Sequence, residues 1–208
     1  MYPALTALCV VLAALLVSAL SPYDRLTWWL EVAPVLIAIP VLIATRRRLP
    51  LTGLLYALIA AHALVLIYGG TYTYARAPLG FWMADWFGLD RNPYDKIGHF
   101  VQGLVPALIA REILLRLGYL QSRAMAGFLS GCVALAISAA YELIEWWAAL
   151  LLGQGADEFL GTQGYEWDTQ ADMGFALLGA VCALVLLSRW HDRQLARLAV
   201  ADGRPTGV

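Results

Sequence analysis

The fold is decided by the stretch at residues 28–48, which reads WWLEVAPVLIAIPVLIATRRR. Its first 18 residues, 28–45, are almost entirely apolar, and an apolar helix needs about 17–25 residues to cross the hydrocarbon core of a bilayer. Pro34 and Pro40 would break a helix in water, but prolines are tolerated in membrane helices. Three arginines follow at 46–48, and such clusters mark the cytoplasmic end of a span. The stretch therefore predicts a transmembrane helix that ends on the cytoplasmic side.

Five further apolar stretches lie at residues 4–20, 52–70, 98–116, 124–150 and 171–189. Of the 208 residues, 61% are hydrophobic and 14% are charged, and the mean hydropathy is +0.68. Soluble domains are about 45–50% apolar and about 25% charged. The composition therefore excludes a disordered chain, a nucleic-acid-binding protein and an ordinary cytosolic domain. We predict an all-α, polytopic membrane helix bundle of about six transmembrane helices, forming a single integral-membrane domain over residues 1–208.

Lysine and arginine set the expected orientation, because they concentrate on the cytoplasmic side of membrane proteins. Alternation from the arginines at 46–48 places ten of the fourteen basic residues inside, some of them in a basic cytoplasmic tail at 190–208. Both termini are then cytoplasmic. The first six residues contain no Lys or Arg, which a cleaved signal peptide would have, so we expect the first helix to be retained.

Ionisable residues gather where three of the predicted spans reach the outer surface. They form pairs three or four residues apart, which places each pair on one face of a helix. The pairs are Asp95 and His99 at the start of the fourth span, Glu142 and Glu145 near the end of the fifth, and Asp168 and Asp172 at the start of the sixth. Ionisable groups in a span cost roughly 2.5–3.5 kcal/mol each at the helix centre. Several acids at one depth therefore need something that neutralises them.

A divalent metal ion (Zn, Mn or Fe) is one way to neutralise these acids, because imidazole and carboxylate together suit such ions. The ligands would be His99, Glu145 and Asp172, and the catalytic candidates would be Glu142 as general base, Asp168 and Asp95. The protein would then be an enzyme at the boundary between bilayer and water. Its substrate would be a lipid headgroup or another envelope or lipid-linked compound.

Two other interpretations stay open. Shared protons would indicate a proton-coupled carrier or channel in which Glu142 and Glu145 exchange protons. Pairing of the acids with Lys96, Arg76 or Arg91 would indicate a non-catalytic envelope-maintenance protein, whose buried acids only order the helix bundle.

Three segments of the second half resemble the YjdF family of bacterial inner-membrane proteins. They are DKIGHF at 95–100, YELIEWW at 141–147 and GTQGYEWDTQADM at 161–173. The resemblance covers most of the chain and is densest over about 90–193. It implies a multi-pass protein of the bacterial inner membrane, and it implies no activity, because the family is a domain of unknown function.

A fainter similarity is to VanZ-like proteins, which are linked to reduced glycopeptide susceptibility. These share an Asp-Lys-x-x-His-Phe start, matched at residues 95–100, and a later acid followed by an Asp that opens a glycine-containing span. Glu142 or Glu145 and then Asp172 match that second feature. Ala176 stands where VanZ-like proteins have Asn one turn after that Asp.

Overall fold

The computed structural model of the chain describes residues 2–152, 163 and 165–201. Every regular element in this part of the chain is helical, which confirms the predicted all-α class. The helices are α1 (Tyr2–Leu20), α2 (Arg25–Thr45), α3 (Gly53–Tyr72), α4 (Pro78–Phe87), α5 (Tyr94–Arg116), α6 (Arg123–Leu152), α7 (Asp168–Cys182) and α8 (Ser188–Ala201). A 3₁₀ turn, Tyr74–Arg76, precedes α4, and a π-helical segment, Ala183–Leu187, joins α7 to α8.

Five helical segments are long and apolar enough to cross a membrane: Arg25–Thr45, Gly53–Tyr72, Tyr94–Arg116, Arg123–Leu151 and Asp168–Val200. They correspond to five of the six predicted spans. The remaining apolar segment, Ala4–Leu20, is shorter. It packs against α3, and Trp28 of α2 donates its indole N–H to Ser18 Oγ at 3.0 Å. The chain is thus a polytopic membrane bundle in which the first helix is held by its neighbours.

The two helices that carry most of the predicted site residues begin earlier than the hydropathy of the sequence indicates. α5 begins at Tyr94 instead of 98, and α7 begins at Asp168 instead of 171. The first turn of a helix favours acidic side chains, because its free N–H groups carry partial positive charge. Asp95 and His99 are consequently one helical turn apart on α5, and Asp168 and Asp172 are one turn apart on α7.

Helices α5 and α7 run parallel, and their backbones touch. A Cβ atom on Gly103 would lie 1.7 Å from the carbonyl oxygen of Ala176, and one on Gly179 would lie 1.9 Å from that of Phe100. Only a hydrogen atom fits at either glycine. Small residues allow this approach in membrane bundles, where helices associate through close packing. The contact brings the two helices that carry most of the predicted site residues against each other.

We predict that Gly179→Ala destabilises the protein, because the new methyl group overlaps a backbone carbonyl that cannot rotate away. Overpacking of this kind typically costs about 1–3 kcal/mol. The thermal transition in detergent should fall accordingly. The matched control is Gly174→Ala on the same helix, where a Cβ meets nothing within 4 Å. An unchanged transition in Gly179→Ala would mean that the two backbones do not touch.

The last helix extends past the predicted end of the sixth span at 189, because α8 continues to Ala201. Its His191 is fully buried, with Nε2 2.9 Å from Glu112 Oε2 on α5. Arg111 of α5 also donates to Asp192 at 2.7 Å. Residues 190–201 of the predicted tail therefore form a helix that docks on α5 through polar contacts, which hydropathy does not register. Residues 202–208 lie outside the described part of the chain.

Glu112 is the centre of this polar contact. Its carboxylate accepts hydrogen bonds from Thr52 Oγ1 at 2.8 Å and from Arg116 at 2.9 Å, besides the contact with His191. The pair of Glu112 and Arg116, four residues apart on one helix, is therefore part of a network that joins α5 to the start of α3 and to α8. Buried charges are tolerated when they are paired and hydrogen-bonded, as here.

Replacing Glu112 by Ala should destabilise the bundle by about 3–5 kcal/mol, because it leaves buried partners without their counter-charge. Glu112→Gln keeps hydrogen-bonding capacity and should cost less. Thermal unfolding in detergent measures both effects. Asp85→Ala on α4 is the control, because that carboxylate is exposed. If Glu112→Ala and Asp85→Ala unfold at the same temperature, the network does not stabilise the protein.

Candidate metal centre and the polar cavity beside it

Four of the six predicted site residues meet at one end of the bundle. This end, where α5 and α7 begin and α6 ends, is the site end. Asp95 and His99 come from α5, Glu142 from α6 and Asp172 from α7. His99 Nε2 lies 3.6 Å from Asp95 Oδ1 and 3.7 Å from Glu142 Oε1. Ligand atoms of Asp95, His99 and Asp172 all lie within 4.8 Å of one another. A single ion could therefore contact all three side chains after small rotations.

The orientation of the His99 ring is fixed by Gln102, one turn further along α5. His99 Nδ1 lies 3.0 Å from Gln102 Oε1. An amide oxygen can only accept a hydrogen bond, so Nδ1 donates, and Nε2 is left to face the carboxylates. Metal-binding histidines are oriented by a hydrogen bond of this kind on the other ring nitrogen.

Two carboxylate oxygens, one in the cluster of Asp95, His99 and Asp172 and one beside it, are buried without a hydrogen-bond partner among the residues that the structure describes. They are Glu142 Oε1 and Asp172 Oδ1. Their residues are 8% and 2% exposed. Most buried polar atoms in proteins have a partner, and each one without a partner requires an explanation. Two such oxygens close to the Nε2 atom of His99 are the arrangement that a bound cation would satisfy.

A small cavity of about 20 Å³ adjoins the cluster between α2, α3, α5 and α6. Its polar lining consists of Glu31, Tyr74, Asp95, His99, Gln102, Tyr141 and Glu145. The Tyr141 hydroxyl donates to Glu31 Oε2 at 3.3 Å. Burial raises the pKa of Tyr74, in the 3₁₀ turn, well above its usual value, so its phenol stays neutral. A cavity of this size holds about one water molecule.

Cationic side chains lie at the rim of the site end. Arg91 donates to Asp168 Oδ1 at 2.6 Å, and its guanidinium lies 4.2 Å from the centre of the Tyr165 ring. The ammonium of Lys96 lies 5.4 Å from the same ring.

Asn92 and Gln163 exchange two hydrogen bonds, of 3.1 and 2.9 Å. These bonds connect the segment before α5 to the segment before α7.

The six predicted site residues thus lie in or beside the cluster, at the rim of the site end, or in the lining of the adjoining cavity. Asp95, His99 and Asp172 form the cluster, and Glu142 lies beside it. Asp168 is held by Arg91 at the rim. Glu145 lines the adjoining cavity instead of joining the group of ligand atoms.

Sequence reasoning missed Glu31, Gln102 and Asn92. Glu31 is the one charged residue in the apolar stretch 28–45, which is itself a signal, but nothing in the sequence connects it to residues more than sixty positions away. Gln102 could have been noticed as a polar residue one turn after His99. Asn92 precedes a proline, which indicates a turn and gives no sign of a contact with residue 163. Residues 153–162 and 164, which include part of the segment at 161–173, lie outside the described residues.

Comparison with known proteins shows the family of the chain. Residues 3–193 match the family model described as "Predicted membrane protein (DUF2238)". The chain belongs to this family. It is also 60% identical over 189 residues to the inner membrane protein YjdF of Escherichia coli (strain K12), covering 91% of this chain and 90% of that protein. No solved structure matches the chain.

Membership of the DUF2238 family confirms the predicted resemblance and the predicted location. With its membrane-spanning helices, the chain is a multi-pass protein of the bacterial inner membrane. The matched range 3–193 contains all six predicted site residues. The family description and the name of the relative state no activity, so the function has to be argued from the site.

Proposed function

We propose that this protein is a metal-dependent enzyme of the inner membrane, with a divalent cation held by Asp95, His99 and Asp172. The observation that carries the proposal is the convergence of these three side chains, from two helices, within 4.8 Å of one another. Asp172 adds a buried oxygen without a hydrogen-bond partner in the described part of the chain. One nitrogen and several carboxylate oxygens suit zinc, manganese or iron(II).

The arrangement favours catalysis over a purely structural ion. Structural zinc sites are usually closed by four protein ligands, whereas catalytic sites keep a position open for water or substrate. Three ligands here leave such a position. A cation at this place would make a bound water more acidic. Glu142, whose free Oε1 lies 3.7 Å from His99 Nε2, is placed to accept the proton as general base.

The surroundings point to a substrate at the bilayer surface, namely a lipid headgroup or a lipid-linked compound. The site end carries exposed tryptophans, which favour the interface between bilayer and water; they are Trp82, Trp86, Trp146, Trp147 and Trp167. Arg91 and Lys96 supply positive charge at the rim, where an anionic headgroup would lie. The distribution of Lys and Arg in the sequence predicts that this end faces the outside of the cell.

Metal content tests the proposal directly. We expect near-stoichiometric zinc, manganese or iron in protein purified without chelator or metal-binding resin, measured by elemental mass spectrometry. His99→Ala and Asp172→Ala should lose the metal, because each removes one of three ligands. Glu166→Gln is the matched control, because this exposed acid lies at the same end of the bundle outside the cluster.

Each variant is checked for folding by its thermal transition in detergent. The absence of metal from the wild-type protein would contradict the proposal, and so would full retention of metal in folded His99→Ala and Asp172→Ala. The acids would then have to act as proton sites or as packing groups.

Gln102 gives a second prediction, because it positions His99 without touching the ion. Gln102→Leu should weaken metal binding about 10–100-fold, as loss of such orienting partners typically does. Gln102→Glu should retain affinity, because its carboxylate still accepts the hydrogen bond from Nδ1. Competition with a metal-sensitive dye measures the dissociation constant. Gln121→Leu, at an exposed position at the opposite end, is the control. Equal affinity in Gln102→Leu and Gln121→Leu would show that Gln102 does not orient the ligand.

A further inference from the structure

An apolar groove lies between α2 and α6, on the side of the bundle that faces the membrane. It has a volume of about 520 Å³ and is lined by α2 residues from Leu30 to Val41 and by Tyr141 and Ile144 of α6. All of these residues lie within membrane-spanning segments. Hydrocarbon, and not water, is therefore the medium that the groove meets.

The length of the groove along α2 is close to the thickness of one leaflet of a bilayer. Eleven residue steps separate Leu30 from Val41, which at 1.5 Å per residue corresponds to about 16 Å. Half of a hydrocarbon core about 30 Å thick is about 15 Å. The groove begins at Leu30, five residues after the start of α2 at the site end, and continues past the middle of that helix. It therefore follows the direction in which a lipid tail runs from the site end into the bilayer.

The groove adjoins the small polar cavity beside the candidate metal centre at one shared residue. Tyr141 lines both the groove and the small polar cavity. Asp95 and His99 line that cavity and also belong to the group of potential metal ligands. Apolar surface thus changes to polar surface at Tyr141, whose hydroxyl contacts Glu31 at 3.3 Å. A molecule with one apolar and one polar part matches this order of surfaces.

A hydrocarbon tail suits such an apolar groove better than a helix of a second protein does. A helix is about 10–12 Å across and has side chains to place, whereas a tail needs less room and has none.

We propose that the groove binds the hydrocarbon tail of a membrane lipid, whose headgroup then lies at Asp95, His99 and Asp172. The inference rests on the proposed function and narrows its substrate class to lipids that enter sideways from the bilayer between α2 and α6. Tyr141 is the boundary between the part of the site that holds the tail and the part that holds the headgroup.

Photo-crosslinking in proteoliposomes tests this proposal on the full chain. The probe is phosphatidylglycerol with a diazirine in its acyl chain, diluted into phosphatidylethanolamine and phosphatidylglycerol, and adducts are located by peptide mass spectrometry. We expect several-fold more adducts at groove residues such as Ile37 than at Val17 of α1. The comparison is matched, because these side chains are 64% and 68% exposed.

A variant that fills the groove separates a binding site from general contact with lipid. Ala38→Trp should reduce the adducts on α2 and α6 to the level of α1, whereas Val17→Trp on α1 should leave them unchanged. Equal labelling of Ile37 and Val17 in the wild-type protein would overturn the proposal. A cross-link between two copies of the chain through Ile37→Cys would also overturn it, because a protein would then cover the groove.

Metal content of the same samples distinguishes this inference from the proposed function. Ala38→Trp should keep its metal, because residue 38 lies outside the cluster. Bound metal without preferential labelling would reject the tail site and leave the metal centre intact. Preferential labelling without metal would reject the proposed chemistry and support a lipid site with another role.

Discussion

The structure depends on the direct contact between the backbones of α5 and α7. Gly103 meets Ala176, and the residues one turn earlier on the same two helices are His99 and Asp172. The packing of the two backbones therefore brings the members of the polar cluster together. In a membrane, where burial of apolar surface gives helices little reason to associate, such contact between small residues is a main source of helix pairing.

The two ends of this helix pair contain polar clusters of opposite character. At the opposite end, the acids Glu112 and Asp192 are matched by arginines and by His191, with contacts of 2.6–3.2 Å. At the site end, acids outnumber cations, and two carboxylate oxygens have no hydrogen-bond partner within the described residues. A cluster that only fixes packing gains most when every member is satisfied. The contrast, within one helix pair, supports a structural role for the cluster around Glu112 and supports the proposed cation site at the other end.

Much of this architecture could be predicted from the sequence, and the missing parts have a physical reason. Runs of apolar residues predicted the helices, and the spacing of four residues placed Asp95 with His99 on one face. Hydropathy cannot say which faces of two apolar helices meet, so the pairing of α5 with α7 was not predicted, although it depends on Gly103 and Gly179. His191 was overlooked for a related reason, because it lies in a polar segment that resembles a solvated tail and is buried only by contact with α5.

The incomplete cluster has an energetic consequence that links metal, stability and substrate. Buried carboxylates without partners destabilise a folded membrane protein, and a ligand that binds only the folded state returns stability in proportion to its concentration and affinity. In the proposed site, an ion held by three side chains would satisfy the acids and keep one position free. The apolar groove beside Tyr141 would favour a lipid at that position, since a soluble compound gains nothing from an apolar surface. A lipid would gain from both parts of the site, because its tail replaces one apolar environment by another while its headgroup meets the polar cluster. Under this proposal, entry from the bilayer is the route that costs least for the substrate.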